Sequence, residues 1–280
     1  MLTLVEAISL AGDRAKQNDD VAGVSATLAW VIDGATDLHD APLTPAASDA
    51  AWIAQHLSTS LQCAAPDATA TELALRAVIR NAARDAAAAF PGMAAERWKS
   101  PTASALIARE TPDGVFGLDL GDCRCFAVDA DGVCHAVGGP ARAADDEGQR
   151  ARDAAVKAGE TPLLRHADTM QMLREVRTRH NQAGGYWVFG LQEECADHAR
   201  AWTLALKRPA HIVLATDGFA ALVDRYNALD VRGLVEAALK LGLAQLGLDL
   251  RAIESADAKG ERHPRFKASD DATALLLRLS

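Results

Sequence analysis

The chain has 280 residues, 49% of them hydrophobic and 24% charged, with a formal net charge of −9. That length can bury a large core, and the composition is that of an ordinary globular protein. The acidic balance argues against a general nucleic-acid binder, whose phosphate contacts need a basic surface. Cysteines number five, at 63, 123, 125, 134 and 195, with no CxxC pair. An odd count in a long chain points to reduced thiols in a cytoplasmic protein rather than a disulfide framework or a Cys-rich zinc site.

The N-terminal stretch MLTLVEAISLAG lacks a basic region and carries Glu6 inside its apolar run. It therefore does not read as an export signal, and no later run approaches a membrane span. Residues 2–10 alternate loosely and read as a strand, followed by the polar run GDRAKQNDD at 12–20 and an apolar strand at 24–32. Two helices are expected at 46–62 and 71–90, the second with an apolar stripe of Leu75, Val78, Ile79 and Ala82. Strands follow at 102–109, 114–120, 123–128 and 132–138, joined by the Asp-Gly turns TPDG and DADG. A helix is expected over 141–158, and 159–200 is mixed. Strands at 201–206 and 211–216, helices at 218–226 and 230–246, and a last strand at 272–279 complete the pattern. Strands come in meanders and helices in pairs, which predicts an α+β sandwich of antiparallel sheets with helices on the outer faces.

Four Asp-Gly pairs separate into two kinds. Asp113-Gly114 and Asp131-Gly132 lie between alternating strands and are hairpin turns. Asp33-Gly34 and Asp217-Gly218 instead close the continuous apolar runs LAWVIDG and IVLATDG. A carboxylate at the end of a buried strand is costly unless its charge is compensated. A helix N-cap would serve, as would a hard cation that takes carboxylate and carbonyl oxygens. Further acids sit at Asp122, after Gly121, and at Asp270 and Asp271 before the terminal strand.

Six pieces in this order resemble the metal-dependent PPM (type 2C) protein Ser/Thr phosphatases. They are RAKQND at 14–19, VIDGA at 31–35, SPTASALIA at 100–108, GDCR at 121–124, ATDGF at 215–219 and DDATALLL at 270–277. The resemblance implies a four-layer α/β/β/α sandwich formed by one domain over 1–280, with a variable flap at about 160–200. It implies two Mn²⁺ or Mg²⁺ ions held by Asp19, Asp33, the Gly34 carbonyl, Asp217 and Asp270, with Asp33 bridging, and a third, weaker ion at Asp122. Arg14 would bind the substrate phosphate and Asp33 would be central to catalysis; Asp13 and Asp20 are read as solvated turn charges. Two metals activate a water and neutralise charge on the phosphoryl oxygens, so no cysteine nucleophile is needed. The implied partner is a phosphorylated protein, with no nucleic acid or membrane.

The chain departs from the family where many members carry a His that protonates the leaving alkoxide: Ala35 occupies that place, and His39 is the candidate replacement. Asn18 stands where an acidic residue is common, and His166, His180, His198 and His263 show no metal-ligand spacing. Two readings stay open: an active phosphatase for phosphoserine and phosphothreonine, or a weakly active or non-catalytic module that binds a phosphorylated partner.

Overall fold

In LAWVIDG, alternate side chains leave opposite faces of a strand, yet every apolar residue is buried. The strand must therefore be covered on both sides. The computed structural model, which describes residues 1–64, 71–90, 96–140, 149–151, 153–154 and 166–280, shows how. Trp30 and Ile32 face outward, against helices α1 (Asp49–Ala64) and α2 (Glu72–Ala89), where Ile53, Leu57, Leu61, Leu75 and Ile79 meet them. Ala29 and Val31 face inward, against Ile212, Leu214, Leu275 and Leu277 of a second sheet.

The described strands are β1 (Leu2–Leu10), β2 (Val21–Val24), β3 (Leu28–Gly34), β4 (Ala103–Thr111), β5 (Gly114–Leu120), β6 (Arg124–Val128), β7 (Cys134–Gly138), β8 (Arg200–Ala205), β9 (Ala210–Ala215) and β10 (Ala272–Leu279). They form two five-stranded sheets in the orders β1-β10-β9-β6-β7 and β2-β3-β4-β5-β8. Every pairing is antiparallel. Further described helices are α3 (Ala167–Thr178), the single turn α4 (Cys195–His198), α5 (Asp217–Asp224), α6 (Val231–Leu241) and α7 (Leu243–Ala256). Helices α5, α6 and α7 cover the outer face of the first sheet through Phe219, Leu234 and Leu246, packed on Val213 and Leu276. Three apolar layers thus separate helices, sheet, sheet and helices, the sandwich expected from the sequence.

Some boundaries differ from expectation. The run at 24–32 holds parts of two strands, because Ser25 turns the chain: its N–H donates to the Leu28 carbonyl at 2.8 Å and its Oγ accepts the Leu28 N–H at 3.1 Å. The helix expected over 230–246 is two helices, broken at Gly242, whose φ of 86° no helix interior tolerates. Of the helix expected over 141–158, residues 149–151 and 153–154 are helical and the rest lies outside the described residues. Among the described residues no helix is long and apolar enough to cross a membrane.

Candidate metal centre and substrate cleft

Strand register gathers the acidic residues. Asp33 pairs with Ser104, Leu120 with Ala105, Arg124 and Ala274 both with Ala215, Leu10 with Ala272 and Val21 with Ile32. The ends of β1, β3, β5 and β9 and the starts of β2, β4, β6 and β10 therefore share one edge of the sandwich. Asp20, Asp33, Asp122, Asp217, Asp270 and Asp271 all lie at those strand ends.

Close backbone approaches make the glycines obligatory. A Cβ on Gly34 would stand 2.6 Å from the Asp19 carbonyl oxygen and 2.7 Å from that of Ala50. One on Gly218 would stand 1.9 Å from the Asp271 carbonyl oxygen, so the start of α5 can pack against the entry to β10 only without a side chain there.

The carboxylates repel one another. Asp33 is pushed well above the usual carboxylate range by burial first, then by Asp20, Asp217, Asp122 and Asp270. Asp217 lies within hydrogen-bond reach of Asp33 and is raised to about 6 by burial, Asp270 and Asp122, against the opposing pull of Arg225. The Arg225 guanidinium is 3.6 Å from the Asp217 carboxylate. Asp270 goes the other way: burial alone would raise it, but the Lys267 ammonium, 2.6 Å from its Oδ1, holds it below its ordinary value. Asp122 accepts a 2.7 Å hydrogen bond from the Ser104 hydroxyl.

Asp19 and Asp20 divide differently from the sequence expectation. Asp19 accepts from Ser48 Oγ at 2.6 Å, and the charges acting most on it are those of Asp271, Lys267 and Asp37. Asp20 is not the solvated turn charge expected: it is 8% exposed, and among the charges on Asp33 its own acts most strongly. Thr216 Oγ1 donates to Asp20 Oδ2 at 2.7 Å, while Asp20 Oδ1 is buried with no hydrogen-bond partner. Burial and the charges of Asp271, Asp270 and Asp217 push Asp20 well up. No local signal marked it, since the strand it directly precedes, Val21–Val24, lies ahead of the 24–32 run read from the sequence.

A cavity of about 130 Å³ opens beside this cluster. Asp33, Gly34, Asp122, Asp217 and Asp270 line it, together with Lys267, Arg150, Arg177, His180 and Tyr186. The segment that brings Arg177, His180 and Tyr186 is docked on the loop after β3. Arg174 donates to the Leu38 carbonyl at 2.8 and 3.1 Å with its guanidinium 4.2 Å from the Trp98 ring centre, and Arg177 donates to the Thr36 carbonyl at 3.2 Å. Arg14 lies exposed on a turn closed by the Lys16 N–H donating to the Asp13 carbonyl at 2.9 Å, and it is not part of the cavity wall. His39 is also outside that wall, with Nδ1 2.8 Å from the Ala41 carbonyl and Nε2 3.4 Å from Asp49. Asp37, His39 and Asp49 form a second group of close ligand-type atoms there, with Asp49 Oδ1 and Oδ2 accepting the N–H groups of Thr44 and Leu43. Cys123 and Cys125 are buried between the sheets, and burial raises both thiols, Cys125 to about 12.

A helix-covered pair of antiparallel sheets, with buried carboxylates converging at one edge, is the architecture of the type 2C protein phosphatases. The family model described as Protein phosphatase 2C matches residues 13–240, and the chain belongs to that family. Among solved structures it is similar to the Mycobacterium tuberculosis serine/threonine phosphatase PstP/Ppp, with 16% identity and a TM-score of 0.61 over 100% of this chain and 99% of that one. The catalytic domain of PstP in complex with two manganese ions matches at 15% identity and a TM-score of 0.57, covering 99% of each chain. PppA of Pseudomonas aeruginosa matches at 17% identity and a TM-score of 0.57, again over 99% of each. No curated protein matches by sequence.

Proposed function

We propose that the protein hydrolyses phosphoserine and phosphothreonine in proteins, using two Mn²⁺ or Mg²⁺ ions and a water nucleophile. The observation that carries this reading is the convergence of Asp20, Asp33, Asp122, Asp217 and Asp270 at one sheet edge. Carboxylates destabilised by burial and mutual repulsion, and a buried orphan oxygen on Asp20, are what divalent cations would relieve. The manganese-bound PstP domain supports the same choice of ion.

Asp33, the Gly34 carbonyl, Asp217 and Asp270 are the proposed metal ligands, with Asp33 shared between ions; Asp19 belongs to the set by the family pattern, and Asp20 by its burial against Asp33. Asp122, oriented by Ser104, is proposed for a third, weaker ion. Bound ions would lower the pKa of a water and offset charge on the phosphoryl oxygens. Arg14 is proposed for the phosphate on the family pattern, where a guanidinium fork can grip two oxygens. Arg177, in the cavity wall, is the alternative its position supports. We place the protein in the cytoplasm as a single domain, with the segment at about 160–200 as a variable flap beside the cleft.

One observation favours the second reading, a phosphatase-like module that binds a phosphorylated partner without efficient turnover. The Lys267 ammonium already neutralises Asp270 at 2.6 Å and competes with a metal for it. Hydrolysis of an aryl phosphate and of a phosphoserine peptide, with Mn²⁺ and with EDTA, separates the two. Mn²⁺-dependent turnover supports the enzyme; phosphopeptide binding without turnover supports the module.

A further inference from the structure

Departure of a serine or threonine oxygen from phosphorus leaves an alkoxide, a far poorer leaving group than a nitrophenolate. A hydrogen-bond donor aimed at that oxygen acts where charge develops as the bond breaks. Ala35, in the cavity wall just after Asp33-Gly34, offers no side-chain donor. Lys267 in that wall is hydrogen-bonded to Asp270, and Arg177, one of whose five N–H groups goes to the Thr36 carbonyl, is the alternative ligand for the phosphate itself.

The wall also holds His180. Its Nδ1 is shielded from solvent with no hydrogen-bond partner, which leaves Nε2 as the ring nitrogen a ligand can reach. One aromatic neighbour meets the ring, and the backbone that carries it is tied down. Tyr186 meets it edge-on with 5.7 Å between ring centres, and Arg97 donates to the His180 carbonyl at 3.1 Å. The next residue, Asn181, takes a φ of 54°. Its N–H donates to the Tyr186 carbonyl at 2.9 Å and its Oδ1 accepts the Val188 N–H at 2.9 Å. Phe189 then exchanges two 2.9 Å backbone bonds with Ala103, next to the Ser104 that orients Asp122. The turn carrying His180 is thereby tied to the strand end that carries the acidic cluster.

We infer that the His180 imidazole donates a hydrogen bond to the leaving ester oxygen of an alkyl phosphate bound in this cavity. The inference rests on the phosphatase reading above and adds a catalytic residue to it. In the step, the water oxygen bonds to phosphorus, the ester P–O bond breaks, and its electron pair passes to the serine oxygen beside the His180 N–H. The proton that the attacking water releases ends on the serine oxygen, giving the alcohol and inorganic phosphate, and His180 begins and ends neutral. Burial, with Arg177 and Arg150 nearby, pushes the imidazole down to about 3, so the ring is neutral at pH 7. A neutral imidazole is a competent donor to developing negative charge.

The test compares wild type, His180→Phe and His180→Gln, loaded with Mn²⁺, on a phosphoserine peptide and on 4-nitrophenyl phosphate. Removing one such donor costs about 10²–10³ in rate. His180→Phe is therefore expected to lose about 100-fold or more in kcat on the phosphoserine peptide. It should lose less than about 3-fold on the nitrophenyl ester, whose leaving group needs no help. His180→Gln, which keeps an N–H donor, should recover part of the loss. Melting curves identify any variant that does not fold. Should His180→Phe not fold, the same two-substrate comparison is read on His180→Gln against wild type, with a smaller but still substrate-selective loss expected. Equal losses on both esters, or no loss on either, overturn the inference while leaving the phosphatase reading intact. A wild type that cleaves neither ester with Mn²⁺ sinks that reading and this inference together.

Discussion

Asp271 holds Asp19 by its backbone: Asp271 Oδ2 accepts the Asp19 N–H at 2.6 Å while Oδ1 accepts the Gly12 N–H at 2.7 Å. One carboxylate so spans both ends of the run between β1 and β2, and the chain leaves this clamp with Asp19 facing Ser48 and Asp20 buried beside Asp33. Asp20→Asn is accordingly expected to weaken Mn²⁺ binding about 10-fold or more, as a neutral amide is a poorer ligand for a hard cation. Asp13→Ala, on the exposed turn, should leave binding unchanged. Calorimetric Mn²⁺ titration of these variants and Asp19→Ala ranks the three acids. Wild-type affinity in Asp20→Asn would remove it from the site.

Asp33→Asn and Asp217→Asn are each expected to abolish Mn²⁺-stimulated hydrolysis while the fold survives. Both residues stand at ends of buried strands, and both carry charge that the surrounding carboxylates oppose. Near-normal turnover by either variant at saturating Mn²⁺ would overturn the assigned centre.

The same substitution at 217 has a signature in stability. Asp217 is raised from 3.8 to about 6 in the folded protein. A raised acid binds protons more tightly folded than unfolded, so its favourable contribution is present below the unfolded value and is lost as pH rises through about 6. Without metal, Asp217→Asn should therefore match wild type near pH 4 and be the more stable of the two at pH 7.5. Added Mn²⁺ should reverse that order by stabilising wild type selectively. Urea denaturation at the two pH values, with and without Mn²⁺, measures all four terms.

Arg14→Ala is expected to raise KM and lower kcat/KM by about 1.5–3 kcal/mol, the worth of a hydrogen bond to a charged group, with Mn²⁺ affinity unchanged. The exposed position of Arg14 makes Arg177→Ala the necessary companion. A loss confined to Arg177→Ala assigns the phosphate to the cavity wall instead.

Thiol alkylation under native conditions should leave hydrolysis intact, and EDTA should abolish it reversibly with respect to Mn²⁺. Cys123 and Cys125 are buried with raised pKa values, so neither is a ready thiolate. Activity loss that tracks modification of Cys123 would contradict the water mechanism.

Sequence alone carried the layered fold, because period and composition are local. Continuous apolar runs such as LAWVIDG mark strands covered on both faces, and Asp113-Gly114 and Asp131-Gly132 close hairpins by their own backbone preference. It also singled out Asp33, Asp122, Asp217 and Asp270, each next to a glycine or at the edge of an apolar strand, and these four line one cavity. Which of Asp19 and Asp20 turns inward was not legible: a one-residue shift in an irregular run reverses the side chain, and the clamp that fixes it comes from Asp271, 252 residues away. The same limit applies to His180. Nothing in its neighbourhood in sequence marks it, and its place in the cleft depends on the Asn181 turn and on the Phe189 pairing with Ala103, which only the packed chain supplies.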